Sequence, residues 1–139
     1  MVREIIISGT PVAKARPRGF RTKGGKMGFY TPTKSKEFEY QVRQRAEEIF
    51  TKPMDCPIRL TILFLLPRPK TMMWKTKPMP RVPHTSRPDA DNLAKAVEDG
   101  LNGVAYLDDS QITELRVTKR YHAGDEGPQT IIRIEEDGY

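Results

Sequence analysis

The chain has 139 residues, 37% hydrophobic and 30% charged, with 24 Lys and Arg against 18 Asp and Glu for a net charge of +6. That length suits one domain with a real but modest core. A single cysteine, Cys56, excludes an internal disulfide framework and a Cys-rich zinc site, and no apolar run approaches the ~18–20 residues of a membrane span.

Residues 2–8 (VREIIIS) read as a β-strand stopped by Gly9-Thr10-Pro11. The apolar run there is too short and too interrupted for a secretion signal, and the lone cysteine suits a reducing compartment, so the cytoplasm is expected. Residues 14–30 (KARPRGFRTKGGKMGFY) carry six basic residues from Lys14 to Lys26 and no acid. Their glycines and aromatics suggest a hairpin or a mobile loop. A phosphate-binding P-loop is excluded, because Gly25 stands where that motif needs lysine.

From Thr33 to Phe50 the apolar residues Phe38, Val42, Ala46, Ile49 and Phe50 fall on one helical face, closed off by Pro53. Cys56 precedes an apolar strand and reads as a small core residue rather than a nucleophile. That strand, residues 58–66 (IRLTILFLL), is expected to be buried on both faces toward its end. Residues 67–88 hold six prolines, six Lys or Arg and no acid. So long a segment is either a mobile linker or a nucleic-acid-contacting arm, with Trp74 available for stacking.

A helix is expected from Asp89, with Leu93, Val97, Gly100, Leu101 and Val104 as its core stripe and Asn102-Gly103 as its stop. Residues 111–121 alternate as a strand. A turn at 124–128 leads to a last strand at 129–136, so the two are expected to form a C-terminal hairpin. The order predicts a single α+β domain: a mixed sheet of about four to five strands with two main helices.

The charge is unevenly spread. Residues 1–88 hold 19 Lys and Arg against 6 Asp and Glu, whereas residues 89–139 hold 5 against 12. A basic body suits a polyanion, and the acidic part calls for a separate purpose. Asp89 is placed to cap the helix and Asp91 lies in its first turn, which capping alone can explain. Lys95 lies one turn beyond Asp91, and a second acidic pair, Asp108-Asp109, follows the helix.

If these groups meet, two carboxylates ~4 Å apart repel by roughly 4 kcal/mol at an effective dielectric of ~20. A divalent cation offsets that repulsion, and oxygen donors without His or Cys favour Mg²⁺, with Mn²⁺ as a substitute. Such a site on a basic surface suits phosphodiester hydrolysis, with Lys95 neutralising charge in the transition state. His84 and His122 have no evident Ser or Cys partner and read as surface residues.

The run RPDADNLAKAVEDGLNG (87–103), then YLDDSQI (106–112) and Lys119, together with GTPVAKARPR (9–18) and YTP (30–32), resembles the RusA-type endodeoxyribonucleases, the phage- and prophage-associated Holliday junction resolvases. The resemblance implies a mixed α/β fold and a homodimer that nicks two symmetry-related strands of a four-way junction. It matches Asp89, Asp91 and Asp109 to metal-binding catalytic aspartates and Lys95 to a catalytic lysine. Asp108 and Asn92 fall on accompanying positions, as a further ligand or an orienting group. Asp99 also matches, although an ion pair with Lys95 explains it equally well.

The expected DNA contacts are Lys14, Arg16, Arg18, Arg21, Lys23 and Lys26, with Arg68, Lys70, Lys75, Lys77, Arg81 and Arg87. Two alternatives stand beside this reading: a non-catalytic DNA-binding phage regulator, and a nuclease that prefers flaps or forks.

Overall fold

A computed structural model of the chain describes residues 2–15, 18–30 and 33–138. Arg16 lies outside the described residues, as do Thr31 and Pro32. The chain folds as β1 (Val2–Ser8), β2 (Arg18–Arg21), β3 (Met27–Tyr30), α1 (Thr33–Ile49), β4 (Ile58–Leu66), β5 (Val82–Pro83), α2 (Ala90–Leu101), β6 (Ile112–Tyr121) and β7 (Gln129–Glu136). Short 3₁₀ turns cover Lys70–Met72 and Asp109–Gln111. This is the expected small α+β domain with a mixed five-stranded sheet, ordered β1-β7-β4-β6-β5.

The apolar β4 is central. It pairs antiparallel with β7 and parallel with β6, so Leu65 and Leu66 are buried as expected. This corrects the expected C-terminal hairpin, because β4 lies between β6 and β7. A strand buried on both faces and rich in Ile and Leu gains most with a neighbour on each edge. The turn at 124–128 therefore spans the width of a strand.

Both helices contribute to one core. Phe38, Val42 and Ala46 of α1 and Leu93, Val97 and Leu101 of α2 pack with Ile5 and Ile7 of β1, Leu60, Ile62 and Phe64 of β4, and Ile132 and Ile134 of β7. Cys56 packs half-buried against this cluster, and burial pushes its thiol pKa up, which keeps it unreactive.

The helices approach closely at Gly100. A Cβ there would lie 2.8 Å from Val42 Cβ and 2.9 Å from the Glu39 carbonyl. Gly100→Ala should therefore lower the unfolding free energy by about 1–3 kcal/mol through overpacking, despite the better helix propensity of alanine. Urea titration of the variant checks this.

The basic run at 18–30 forms the β2–β3 hairpin, turned at Thr22–Lys26 with Gly25 at φ +79. Arg21, Lys23 and Lys26 are exposed on it.

The segment from Pro67 to Pro88 is held at several points. The Arg68 guanidinium, 7% exposed, donates to the carbonyls of Met72, Pro80 and His122, and it lies 4.8 Å from the centre of the Trp74 ring. The Trp74 backbone N–H donates to Met79 Sδ, and the Gly124 N–H donates to the Met79 carbonyl. Arg68 is therefore a packing residue rather than the expected DNA contact. Its Nε and Nη1 are taken up by these carbonyls, and Nη2 is buried without a hydrogen-bond partner among the described residues. Trp74 is likewise engaged, with Lys77 Nζ 4.2 Å from its ring centre.

Arg81, another expected DNA contact, forks onto both oxygens of Glu126 at 2.8 Å. That pairing draws the Glu126 pKa down to about 2. A carboxylate whose folded pKa is depressed stabilises the protein above its unfolded value, and the contribution is lost as pH falls toward 2. Wild type should therefore lose more stability between pH 4.5 and pH 2 than Glu126→Gln does, measured by denaturation across that range.

His84 is buried, not on the surface as expected. Its ring centre lies 4.5 Å from that of Tyr121 with the planes tilted by 53°, and its backbone N–H donates to the Lys119 carbonyl as β5 meets β6. Burial and the neighbouring Lys119 push its pKa down, so it stays neutral. His122 is half-buried, with Nδ1 2.6 Å from the Ala123 carbonyl.

Candidate active site

α2 carries most of the site. Its stripe of Leu93, Ala94, Ala96, Val97 and Leu101 faces the core, which leaves Asp91, Asn92 and Lys95 exposed and Glu98 and Asp99 half-buried on the other side. Asp89 occupies the N-cap position, and its carbonyl accepts the Leu93 N–H. Its carboxylate makes no capping hydrogen bond, so capping does not account for that side chain.

The entry to α2 is clasped from β6. Lys119 Nζ donates to the Ser86 carbonyl at 2.6 Å and the Pro88 carbonyl at 2.8 Å. This fastens the backbone immediately before Asp89. Asp91 Oδ1 accepts the Asn92 N–H, and the Asn92 carbonyl accepts the Lys14 N–H at 2.9 Å.

The second acidic pair sits on the 3₁₀ turn between α2 and β6. Asp108 caps this turn: its carboxylate accepts the Ser110 N–H at 3.0 Å, and Gln111 Oε1 accepts the Asp108 N–H at 2.8 Å. The Ser110 contact draws the Asp108 pKa down. Gln111 Nε2 in turn donates to the carbonyls of Met54 and Cys56, tying the turn to the approach to β4. With Asp108 so engaged, its neighbour Asp109 faces α2.

Lys95 joins the two parts. Its Nζ lies 3.3 Å from Asp99 Oδ1 and 3.8 Å from Asp109 Oδ2. The hydrogen bond to Asp99 raises its pKa, so it stays charged. Asp91, Asn92, Lys95 and Glu98 line one wall of an open groove of about 580 Å³, with Leu115 and Val117 of β6 opposite. Burial pushes the Glu98 pKa up, with Lys95 opposing.

Among the described residues no three His, Cys, Asp or Glu side chains close into a metal-holding group. A lysine, Lys95, lies between Asp99 and Asp109.

The basic residues divide into two sets. Lys14 is ion-paired to Glu39 and Asp99, Arg81 to Glu126, and Arg68 is buried. Arg21, Lys23 and Lys26 on the hairpin, with Lys70, Lys75, Lys77 and Arg87, are exposed. Arg16 lies outside the described residues, and the Arg18 side chain is not described.

A family model described as Endodeoxyribonuclease RusA matches residues 8–135. The chain belongs to the RusA family. The match spans both the basic hairpin and the acidic site. It makes this protein an endodeoxyribonuclease, a phosphodiester hydrolase, and the alternative of a non-catalytic regulator gives way.

Among its relatives is the crossover junction endodeoxyribonuclease rusA of Lactococcus phage r1t, 30% identical over 126 residues and 86% of each chain. The uncharacterized protein YqaN of Bacillus subtilis (strain 168) is 34% identical over 140 residues, covering 94% of this chain and 93% of that protein.

Glu98, Gln111 and the clasp made by Lys119 were not expected from the sequence. Glu98 offered a signal, a carboxylate one residue off the core stripe and therefore at the groove edge. Gln111 and Lys119 act on backbone carbonyls distant in the chain, which no local pattern reveals. No helix of the described residues is long and apolar enough to cross a membrane.

Proposed function

We propose that this RusA-family nuclease resolves four-way DNA junctions by Mg²⁺-dependent hydrolysis of one phosphodiester in each of two symmetry-related strands. The observation that carries the reading is Lys95, held between Asp99 and Asp109 on a groove that Asp91 also lines. Phosphate brought to that groove meets an ammonium poised beside carboxylates, the combination that metal-assisted phosphodiester hydrolysis uses.

The donor set fits Mg²⁺, with Mn²⁺ as a substitute. All its donors are carboxylate oxygens, and Mg²⁺ is commonly held by one or two carboxylates completed by water and substrate phosphate rather than by a closed protein cage. Asp91 and Asp109 would hold the ion, with Asp89 at the same helix start, and Asp108 serving the turn. When bound, the ion polarises the phosphate and eases deprotonation of the attacking water. Lys95 neutralises charge growing on the non-bridging phosphate oxygens. Asn92 orients groups at the start of α2, and the Lys119 clasp keeps Asp89 and Asp91 in place.

The exposed cations of the hairpin, with Lys70, Lys75, Lys77 and Arg87, hold the backbone of the DNA arms. About six such contacts give a slope of roughly −5 in log K against log[salt]. Coordinated cuts need two sites related by a two-fold axis, hence a homodimer, acting in the cytoplasm of a bacterial host and encoded by a phage or prophage.

The decisive experiment compares cleavage of a mobile four-way junction, a fork, a flap and linear duplex, in Mg²⁺ and in EDTA. Paired, Mg²⁺-dependent nicking of the junction in preference to the others is expected. Equal or greater activity on flaps or forks overturns the junction assignment. Sedimentation showing monomer alone, with and without junction, overturns the coordinated pair of cuts.

A further inference from the structure

Lys14 belongs to the basic N-terminal run, yet its ammonium is turned inward. Nζ lies 2.6 Å from Glu39 Oε1 on α1 and 3.1 Å from Asp99 Oδ2 on α2. The other Asp99 oxygen, Oδ1, is 3.3 Å from Lys95 Nζ, which is itself 3.8 Å from Asp109 Oδ2. Charges of alternating sign thus run from α1 to the turn after α2: Glu39, Lys14, Asp99, Lys95, Asp109. The backbone is fastened as well. Lys14 N–H donates to the Asn92 carbonyl, and Ala15 N–H donates to Oγ of the buried Ser35.

We propose that Lys14 is a positioning residue for Lys95, acting through Asp99. A lysine on an exposed helix face has many rotamers and no fixed position for its ammonium. Asp99 supplies a fixed anchor for Lys95, but a carboxylate paired with Lys95 alone would hold it in a one-to-one ion pair, away from phosphate. Lys14 takes the second oxygen of Asp99, fixes the carboxylate's orientation and shares its charge. Lys95 is then aligned while remaining attracted to Asp109 and to incoming phosphate. Without Lys14, Glu39 and Asp99 lose their shared counter-charge, and Asp99 draws Lys95 fully onto itself.

This inference rests on Lys95 acting at the scissile phosphate, and its test separates the two. Wild type, Lys14→Met, Lys14→Arg, Lys95→Ala and the Lys14→Met/Lys95→Ala double variant are compared in single-turnover cleavage of a saturated four-way junction in Mg²⁺. The salt dependence of junction binding is measured in EDTA. Lys14→Met should cleave about 10–100-fold more slowly with an unchanged salt slope, and Lys14→Arg should stay within about threefold of wild type. Adding Lys14→Met to Lys95→Ala should cost nothing further, whereas a general structural defect would slow both backgrounds alike.

The proposal is overturned if Lys14→Met cleaves as wild type does, if its salt slope shrinks by about one as for a phosphate contact, or if its effect persists without Lys95. Should Lys14→Met fail to fold, Lys14→Gln takes its place: a loss of about 10–100-fold that vanishes in the Lys95→Ala background sustains the proposal, and wild-type cleavage overturns it. A wild-type protein that nicks no branched DNA in Mg²⁺ would instead overturn the nuclease reading of the site.

Discussion

Asp91→Asn should leave the protein folded and able to hold junction DNA, yet lower Mg²⁺-dependent cleavage by about 10³-fold, a loss of roughly 4 kcal/mol in transition-state stabilisation. The side chain is exposed, and its hydrogen bond from the Asn92 N–H can be kept by an amide oxygen, so stability should barely change. What the substitution removes is a negative charge on the groove that also holds Lys95. A metal held by only one or two carboxylates loses much of its binding with one of them, while phosphate meets less repulsion. Junction binding in EDTA should therefore be unchanged or tighter. Asp108→Asn is the contrast. Asparagine caps as well as aspartate, so the turn at Asp109–Gln111 should survive and cleavage should stay within about tenfold of wild type. Near wild-type cleavage by Asp91→Asn would remove Asp91 from the proposed metal site.

Much of the fold was legible because burial imposes a period. Phe38, Val42 and Ala46 recur at helical spacing and are all buried on α1, and the Leu93–Val97–Leu101 stripe of α2 is likewise buried. Ile58–Leu66 was legible as a strand because seven of its nine residues are apolar and only Arg59 and Thr61 are polar. What local pattern does not contain is which edge of that strand each neighbour takes, and so the β6–β7 hairpin was expected where β4 intervenes.

The site divides in the same way. Asp91, Lys95 and Asp109 stand out as acids and a lysine at spacings that a helix and a short turn bring near, and Lys95 does reach Asp109. The cations were harder to sort. Lys14, Arg68 and Arg81 look in sequence like Lys23 or Lys75, charges in runs without acids. Their partners lie on other elements: Glu39 and Asp99 for Lys14, Glu126 for Arg81, and backbone carbonyls for Arg68. A carbonyl leaves no trace in a sequence, since every residue has one.

Arg68→Ala should therefore be the most destabilising change among the basic residues, lowering the unfolding free energy by about 3 kcal/mol. Charge-assisted hydrogen bonds contribute about 1.5–3 kcal/mol each. The guanidinium makes three such bonds, to the carbonyls of Met72, Pro80 and His122, all between 2.8 and 2.9 Å. The sum is not recovered in full, because water reaches these carbonyls once the side chain is gone. The Trp74 ring also loses its cation contact. For a chain of this length the loss lowers the melting temperature by on the order of 10 °C. Lysine is a poor substitute, since one ammonium cannot present the Nε and Nη donors in the guanidinium's fixed geometry, so Arg68→Lys should fall between wild type and Arg68→Ala.

Lys75→Ala should behave in the opposite way: an unchanged melting temperature, with a salt slope for junction binding smaller by about one. Calorimetry and salt-titrated binding on the same preparations separate the two kinds of cation. An Arg68→Ala protein that melts with wild type and shows the smaller slope would return Arg68 to the DNA-binding surface.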